Sequence, residues 1–344
     1  MQKQYFIWVC GAIFTLGGWW LSTASAQSAD AERDPAPATL VLMSWNVEWM
    51  FDHDHADNRS DLAREQSAPT AAYWKWKVAA VARAIAACDA TIVALQEIEG
   101  SQTLAAIVKE LRDQHHLTYR YAFIEGSDGF TEQDVGILQR SGLTHYRRHE
   151  QSKTMFDSQL YYNVSKHLVA EYRWREVASP LTVMNLHLRA TAESEKERTR
   201  QGRLARVWLE PELVAGQDVV VLGDLNSEHP VGELAGEMMY FVAGDQSPQA
   251  TRMVDLLGQL PEDKRRTHLI LDKQFDRILV SPSMMVDAPN EKDWTFDQIR
   301  IRPDLVIQGQ GNDGYDHWSK RLTLSTEELD VSDHYPVVAT FHLR

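Results

Sequence analysis

The chain has 344 residues, 44% of them apolar and 24% charged, a balance that supports a sizeable core and excludes wholesale disorder. Lysine and arginine number 35 against 49 aspartates and glutamates, a formal charge of −14. That surface excludes the broad basic footprint of a protein that only binds nucleic acid, so any polyanionic substrate must be held locally or through a metal ion.

Met1 to Gln4 carry one lysine, Tyr5 to Leu21 are almost wholly apolar, and Ser22-Thr23-Ala24-Ser25-Ala26 ends in the small-x-small pattern of a signal-peptidase site. A leader over 1–26, cleaved after Ala26, is therefore expected, with export to the periplasm or the medium. The apolar run also meets the lower limit for a membrane span, so an uncleaved anchor is the alternative. Losing the leader removes Cys10 and leaves Cys88 as the single thiol, so the core must hold without a disulfide. Residues 27–38, rich in Ala, Asp and Pro, read as a flexible linker, and residues 39–344 as one catalytic domain.

Leu40 to Asn46 reads as a buried strand ending in an amide, followed by a long polar loop from Phe51 to Thr70. That loop holds His53, Asp54, His55 and Asp57, a metal-like composition without the periodic scaffold that would fix ligand geometry, so it reads as a solvated lip. Trp74 to Cys88 has a helical apolar face in Val78, Val81, Ala82 and Ile85. Thr91 to Glu97 is a second buried strand that ends in a carboxylate, and Thr103 to Asp113 is again helical. Val135 to Leu138 and Ser158 to Trp174 supply further strands, the latter read as a hairpin. Leu181 to His187 is another strand, with Asn185 and His187 two residues apart near its end. Glu193 to Leu209 is a charged helix whose arginines read as a solvated face, packed through Leu204, Val207 and Trp208.

Val219-Val220-Val221-Leu222-Gly223-Asp224-Leu225-Asn226 is a doubly buried strand that turns at a glycine and delivers a carboxylate and an amide at once. Glu228 to Lys273 is irregular, Phe275 to Val280 is a strand beginning near Asp276, and Asp287 to Glu328 is loop-rich. Ser332-Asp333-His334-Tyr335-Pro336 leads into a last strand from Val337 to Leu343. Strands alternating with helices argue a layered α/β sandwich.

Each polar strand end, taken alone, is ordinary turn chemistry. Together, Asn46, Glu97, Asn185, His187, Asp224, Asn226, Asp276, Asp333 and His334 form a set of oxygen donors and imidazoles without cysteine. Such donors suit a hard cation, Mg²⁺ first, with Mn²⁺ or Ca²⁺ as alternatives. A hydrolytic serine triad is excluded at Ser332-Asp333-His334, because contiguous residues cannot place hydroxyl and carboxylate on opposite sides of the imidazole. Carboxylates, histidines and one hard cation are the equipment of metal-assisted phosphoester hydrolysis.

Ser44-Trp45-Asn46, Leu95-Gln96-Glu97, Asn185-Leu186-His187, Gly223-Asp224-Leu225-Asn226, Asp276-Arg277-Ile278-Leu279 and Ser332-Asp333-His334-Tyr335-Pro336 resemble, in order, the motif set of the endonuclease/exonuclease/phosphatase superfamily. The resemblance spans Leu40 to Leu343. It implies a four-layer sandwich of two face-to-face mixed sheets flanked by helices, with the site at one end. It also implies that Glu97 is the principal metal ligand, with Asn46 and Asp333 close to the ion, and that Asp224 orients or deprotonates the attacking water. Asn226 would hold the water or a phosphate oxygen, His334, aligned by Asp276, would bear on the phosphate, His187 would help the leaving group, and Asn185 would contact phosphate. Two family features have no counterpart placed in this sequence: a tyrosine that touches phosphate and an acidic partner for His187.

The expected activity is that of an exported, Mg²⁺-dependent phosphodiesterase, foremost a nuclease of low sequence specificity acting as a monomer. A phospholipid or small-phosphoester hydrolase is the alternative within the same chemistry. A catalytically inactive binding module is the alternative of another class.

Overall fold

A computed structural model describes residues 33–244, 249–289, 291–309 and 314–344, and among them two six-stranded sheets lie face to face. The strands are β1 (Thr39–Met50), β2 (Ile92–Ile98), β3 (Arg120–Ala122), β4 (Asp134–Gln139), β5 (Leu143–Arg147), β6 (His167–Tyr172), β7 (Leu181–His187), β8 (Asp218–Asp224), β9 (Val254–Asp255), β10 (Asp276–Val280), β11 (Trp294–Ile301) and β12 (Val337–Leu343). The first sheet has the order β11-β12-β1-β2-β4-β3 and the second β5-β6-β7-β8-β10-β9. Among the described strands, only β1 with β2 and β7 with β8 pair in parallel. Each of those connections carries a helix, as a parallel crossover requires.

The α-helices of five residues or more among the described residues are α1 (Asp61–Gln66), α2 (Ala71–Cys88), α3 (Ser101–His115), α4 (Lys153–Asp157), α5 (Glu195–Val214) and α6 (Asp316–Lys320). Thr70 caps α2 by accepting the Tyr73 N–H, and Asp89 ends it in a left-handed conformation. Two-residue periodicity sorts the strands. Leu40, Leu42, Val220, Leu222, Ile278 and Val280 fill the space between the sheets. Met43, Trp45, Val93 and Leu95 face the other way, onto α2 and α3. Val219 and Val221 turn toward Leu204, Ala205 and Leu209 of α5. Helix, sheet, sheet and helix give the expected four layers.

Several expectations need correction. The tract from 158 to 174 is not a hairpin: only β6 forms, paired with β5 and β7. The polar loop from 51 to 70 contains α1, capped by Ser60 and burying only Ala63, too short to show periodicity. The loop-rich tract from 287 to 328 contains β11, an edge strand whose exposed Asp297, Gln298 and Arg300 and its bulge blur the alternation. The arginines of α5 are not all solvated. Arg198 and Arg206 are buried, Arg198 donating to the carbonyls of Arg189 and Thr191, and Arg206 to those of Phe241 and Thr251.

Of the expected linker, residues 33–38 are described. Asp34 accepts from the Gly142 N–H at 2.9 Å, and the Ala36 N–H donates to Glu176 at 2.7 Å. The leader expected over 1–26 lies outside the described residues.

Candidate active site

β1, β2, β7 and β8 end, and β10 and β12 begin, at one common rim of the two sheets. Asn46, Asn185, His187, Asp224 and Asp276 all carry the parity of the residues that fill the space between the sheets, so strand geometry alone aims them inward. Glu97 carries the opposite parity. It reaches the rim because its backbone is left-handed (φ 61°), at the point where β2 slips register against both neighbours. Glu48 (φ 48°) and Trp49 (φ 42°) make the matching irregularity in β1. Three non-glycine residues in that region mark a strained rim.

Asn46 binds the two sheets together here. Its Nδ2 donates to Glu97 Oε1 at 3.1 Å and to Asp224 Oδ2 at 2.9 Å, while its Oδ1 accepts the Glu48 N–H at 3.0 Å. Its oxygen is thus already engaged, and the amide acts here as a clamp on both carboxylates. Asp224 is held further by the Asn226 N–H, 2.8 Å from Oδ1, in a tight turn that puts Asn226 at φ 49°. The Asn226 side chain donates to the Leu188 carbonyl at 3.1 Å.

Two histidines face this carboxylate from opposite flanks. His187 Nε2 lies 3.6 Å from Asp224 Oδ2 and 3.8 Å from Glu97 Oε1. His334 Nε2 lies 3.7 Å from Asp224 Oδ2 and 3.8 Å from Asp333 Oδ1, while its Nδ1 bonds Asp276 Oδ2 at 2.8 Å. Their surroundings push them apart. Burial, with help from Lys166, drags His187 down to about 3, so its imidazole is neutral. Burial opposes charge on His334 too, but Asp276, Asp224 and Asp333 outweigh it and hold that ring well above the ordinary range. The acidic partner for His187 that the sequence left unplaced is not found among the described residues: the buried His187 Nδ1 has no hydrogen-bond partner there.

A divalent cation fits this donor set. Glu97, His187 and Asp224 bring donor atoms within 4.8 Å of one another, as do His268, Asp333 and His334, and Asp224, Asp276 and His334. Burial pushes the Glu97 carboxyl above its usual range, and burial together with Glu48 lifts Asp333 to about 7. Carboxylates crowded into one dry place are those a hard cation would relieve.

Asn185 has a different task from the one expected. It is wholly buried, with Nδ2 donating to the carbonyls of Leu95 (3.0 Å) and Gly136 (2.9 Å) and Oδ1 accepting from Gln96 Nε2 (2.7 Å). No donor remains for a phosphate, and the residue ties the second sheet to the first.

The structure adds residues that motif reading missed. Glu48 is buried between His317 Nε2 (2.6 Å) and the Asp333 N–H (2.9 Å). Burial would raise its carboxyl, but His317, Arg321 and Lys77 hold it at about 2. Its place, two residues beyond Asn46 on the same strand, was the only signal for it in the sequence. Trp318 Nε1 donates to Asp333 Oδ2 at 2.8 Å. His268 accepts the N–H groups of Ile270 and Leu271 at Nδ1, which turns Nε2 toward Asp333 Oδ2 at 3.6 Å. The exposed tract around His53, Asp54 and His55 stays solvated as expected. Asp57 joins Glu99, Glu125, Asp128, Glu132 and Asp134 in lining a cavity of about 390 Å³, onto which the chain opens just past Glu97.

A model of the Endonuclease/Exonuclease/phosphatase family matches residues 43–334. No curated protein matches the chain. Among solved structures it is similar to a humanized TDP2 from D. rerio, at 18% identity over 89% of this chain and 100% of that one, with a TM-score of 0.56. D. rerio TDP2 complexed with a single strand DNA product gives 19% identity, the same coverages and a TM-score of 0.54. The human Nocturnin catalytic domain with bound sulfate gives 14% identity over 92% of this chain and 98% of that one, with a TM-score of 0.55. At these identities the likeness is one of fold. The motif order, the two packed sheets and the family match over residues 43–334 agree, and the chain belongs to the endonuclease/exonuclease/phosphatase family, whose enzymes are divalent-metal-dependent phosphoesterases.

Proposed function

We propose that the protein is an exported phosphodiesterase that hydrolyses nucleic acid with low sequence specificity and uses Mg²⁺. The observation that carries the hydrolytic reading is the rim itself, where Asn46 clamps Glu97 and Asp224 between two histidines of opposite protonation tendency. The nucleic-acid reading is supported by the fold shared with D. rerio TDP2, which is complexed with a single strand DNA product. Export rests on the apolar leader and its small-residue end.

In this reading Glu97 and Asp333 would hold the cation, and Asn46 fixes the Glu97 carboxylate through its Nδ2. The bound cation would neutralise charge growing on the phosphoryl oxygens. Asp224, fixed on both oxygens by Asn46 and Asn226, accepts a hydrogen bond from the attacking water, orients its lone pair toward phosphorus and takes the proton the water loses as its oxygen bonds to phosphorus. Asp276 fixes the His334 ring through Nδ1, so Nε2 faces the pocket and donates to a phosphate oxygen. His187, kept neutral, presents Nε2–H to the departing oxygen. Enzymes lower such barriers by about 8–23 kcal/mol, while one positioned acid or base gives roughly 10²–10⁴-fold. That gap is why the groups must act together.

Purified protein incubated with Mg²⁺ and plasmid, RNA, sphingomyelin or inositol phosphates tests this directly. Hydrolysis of nucleic acid is expected, and EDTA should abolish it; turnover that survives EDTA would remove the metal from the scheme. His334→Ala and Asp224→Asn should each lower kcat by at least about 10²-fold with the fold intact by circular dichroism.

A further inference from the structure

Beyond His187 the second sheet presents a surface that the catalytic rim does not use. The chain runs from the imidazole through the buried Leu188 to the exposed Arg189, two residues or about 7 Å of extended backbone away. The Arg189 guanidinium donates to the Tyr162 hydroxyl at 3.2 Å and lies 5.9 Å from the centre of that ring. Arg200 approaches the same ring at 5.4 Å and donates to the Tyr161 carbonyl at 2.7 Å and to Gln159 Oε1 at 3.3 Å. Arg203 lies over Tyr161 and Tyr240. Three arginines converge here in a chain whose formal charge is −14.

Near them in the chain is a largely exposed aromatic side chain. Phe156 is 65% exposed, and the chain that carries it is tied to the arginines, because Gln159 donates to the Phe156 carbonyl while accepting from Arg200. The acidic cavity beyond Glu97 lies against the same stretch of chain, since Ser127 in its wall accepts from Asn163 Nδ2 at 3.1 Å and Lys166 pairs with Asp128 at 3.1 Å.

We propose that this face is a subsite for single-stranded nucleic acid on the leaving-group side of the scissile phosphate. Arg189 and Arg200 contact its backbone, and one unstacked base lies on Phe156. Cationic groups that track phosphates beside an exposed aromatic platform recognise single strands, because bases in a duplex cannot reach the ring. The tyrosines hold the guanidiniums in place by cation–π contact, so less side-chain freedom is lost on binding. The inference rests on the phosphodiesterase reading for its direction but makes a claim of its own about binding.

The test uses the whole protein and a fluorescein-labelled 12-nucleotide oligo-dT. Anisotropy in EDTA reads binding alone, and kcat/KM in Mg²⁺ is compared between the oligonucleotide and bis(4-nitrophenyl) phosphate. The double substitution Arg189→Ala, Arg200→Ala should weaken oligonucleotide binding at least about tenfold and flatten the slope of log K against log salt by about 1.4, or roughly 0.7 per lost phosphate contact on a single strand. Phe156→Ser, on a side chain too exposed to threaten the fold, should weaken binding at least about fivefold. Variants that bind oligo-dT like the wild type would overturn the subsite. So would tighter binding to a duplex of the same length, or a patch whose loss instead abolishes binding to anionic phosphatidylserine vesicles. If the wild type binds oligo-dT through this patch yet hydrolyses neither substrate, the subsite stands and the hydrolytic reading falls.

Discussion

The Asp333 carboxylate has little freedom to choose its direction. Trp318 holds Oδ2 at 2.8 Å, His268 Nε2 stands 3.6 Å away, and Glu48 takes the backbone N–H at 2.9 Å. Neighbours that orient a ligand typically matter about 10–100-fold in metal affinity. Trp318→Phe, which keeps an aromatic ring there but removes the donor, should weaken Mn²⁺ binding by about that factor in isothermal titration; affinity within twofold of the wild type would show that the indole does not position the carboxylate. Residues of this kind were not legible in the sequence, and the reason is physical. Asn46, Glu97, His187 and Asp224 stand out because a polar group at the end of an apolar strand is conspicuous. Trp318 and His268 lie in irregular tracts and gain meaning only from what folds against them. Asn185 misled in the opposite way: its position in a motif pointed to phosphate, whereas its donors are spent on Leu95 and Gly136.

β8 carries an aspartate at each end, with opposite consequences. At the rim, Gly223 allows the bend that delivers Asp224: its φ is 140°, and a Cβ there would stand 1.9 Å from the Leu186 carbonyl oxygen. Gly223→Ala should therefore cost several kcal/mol by urea denaturation, or prevent folding outright. At the other end burial raises Asp218 from 3.8 to about 6, with only Ser283 donating to it. Its folded value lies above its unfolded one, so the stability it leaves intact below pH 4 is lost as pH rises through 6, on the order of 3 kcal/mol. Asp218→Asn should raise Tm by several degrees at pH 7.5 and by no more than about 1 °C at pH 4, measured by calorimetry. The sequence made elements like β8, β7 and α2 plain, since each buries a regular apolar pattern. β11 and α1 stayed hidden, because one lies at a sheet edge with charges on its outer side and the other spans barely two turns.

Each sheet contributes only part of the reactive rim. Asn46, Glu97 and Asp333 belong to the first sheet or its approach, His187, Asp224 and Asp276 to the second, and His334 bridges them through Asp276. A cation seated among carboxylates from both sheets should bind the folded chain and not the unfolded one. At a concentration of about 100 Kd, Mn²⁺ should then add about 2.7 kcal/mol and raise Tm, with Glu97→Gln abolishing the shift. A melting temperature indifferent to Mn²⁺ and Mg²⁺ would place the ion elsewhere. The Gln96–Asn185 hydrogen bond and the two backbone contacts of Asn185 bolt the halves together just beneath this rim. A chain with both sheets formed but still apart would hold no complete site, so the reactive rim and the joining of the two halves come into being together.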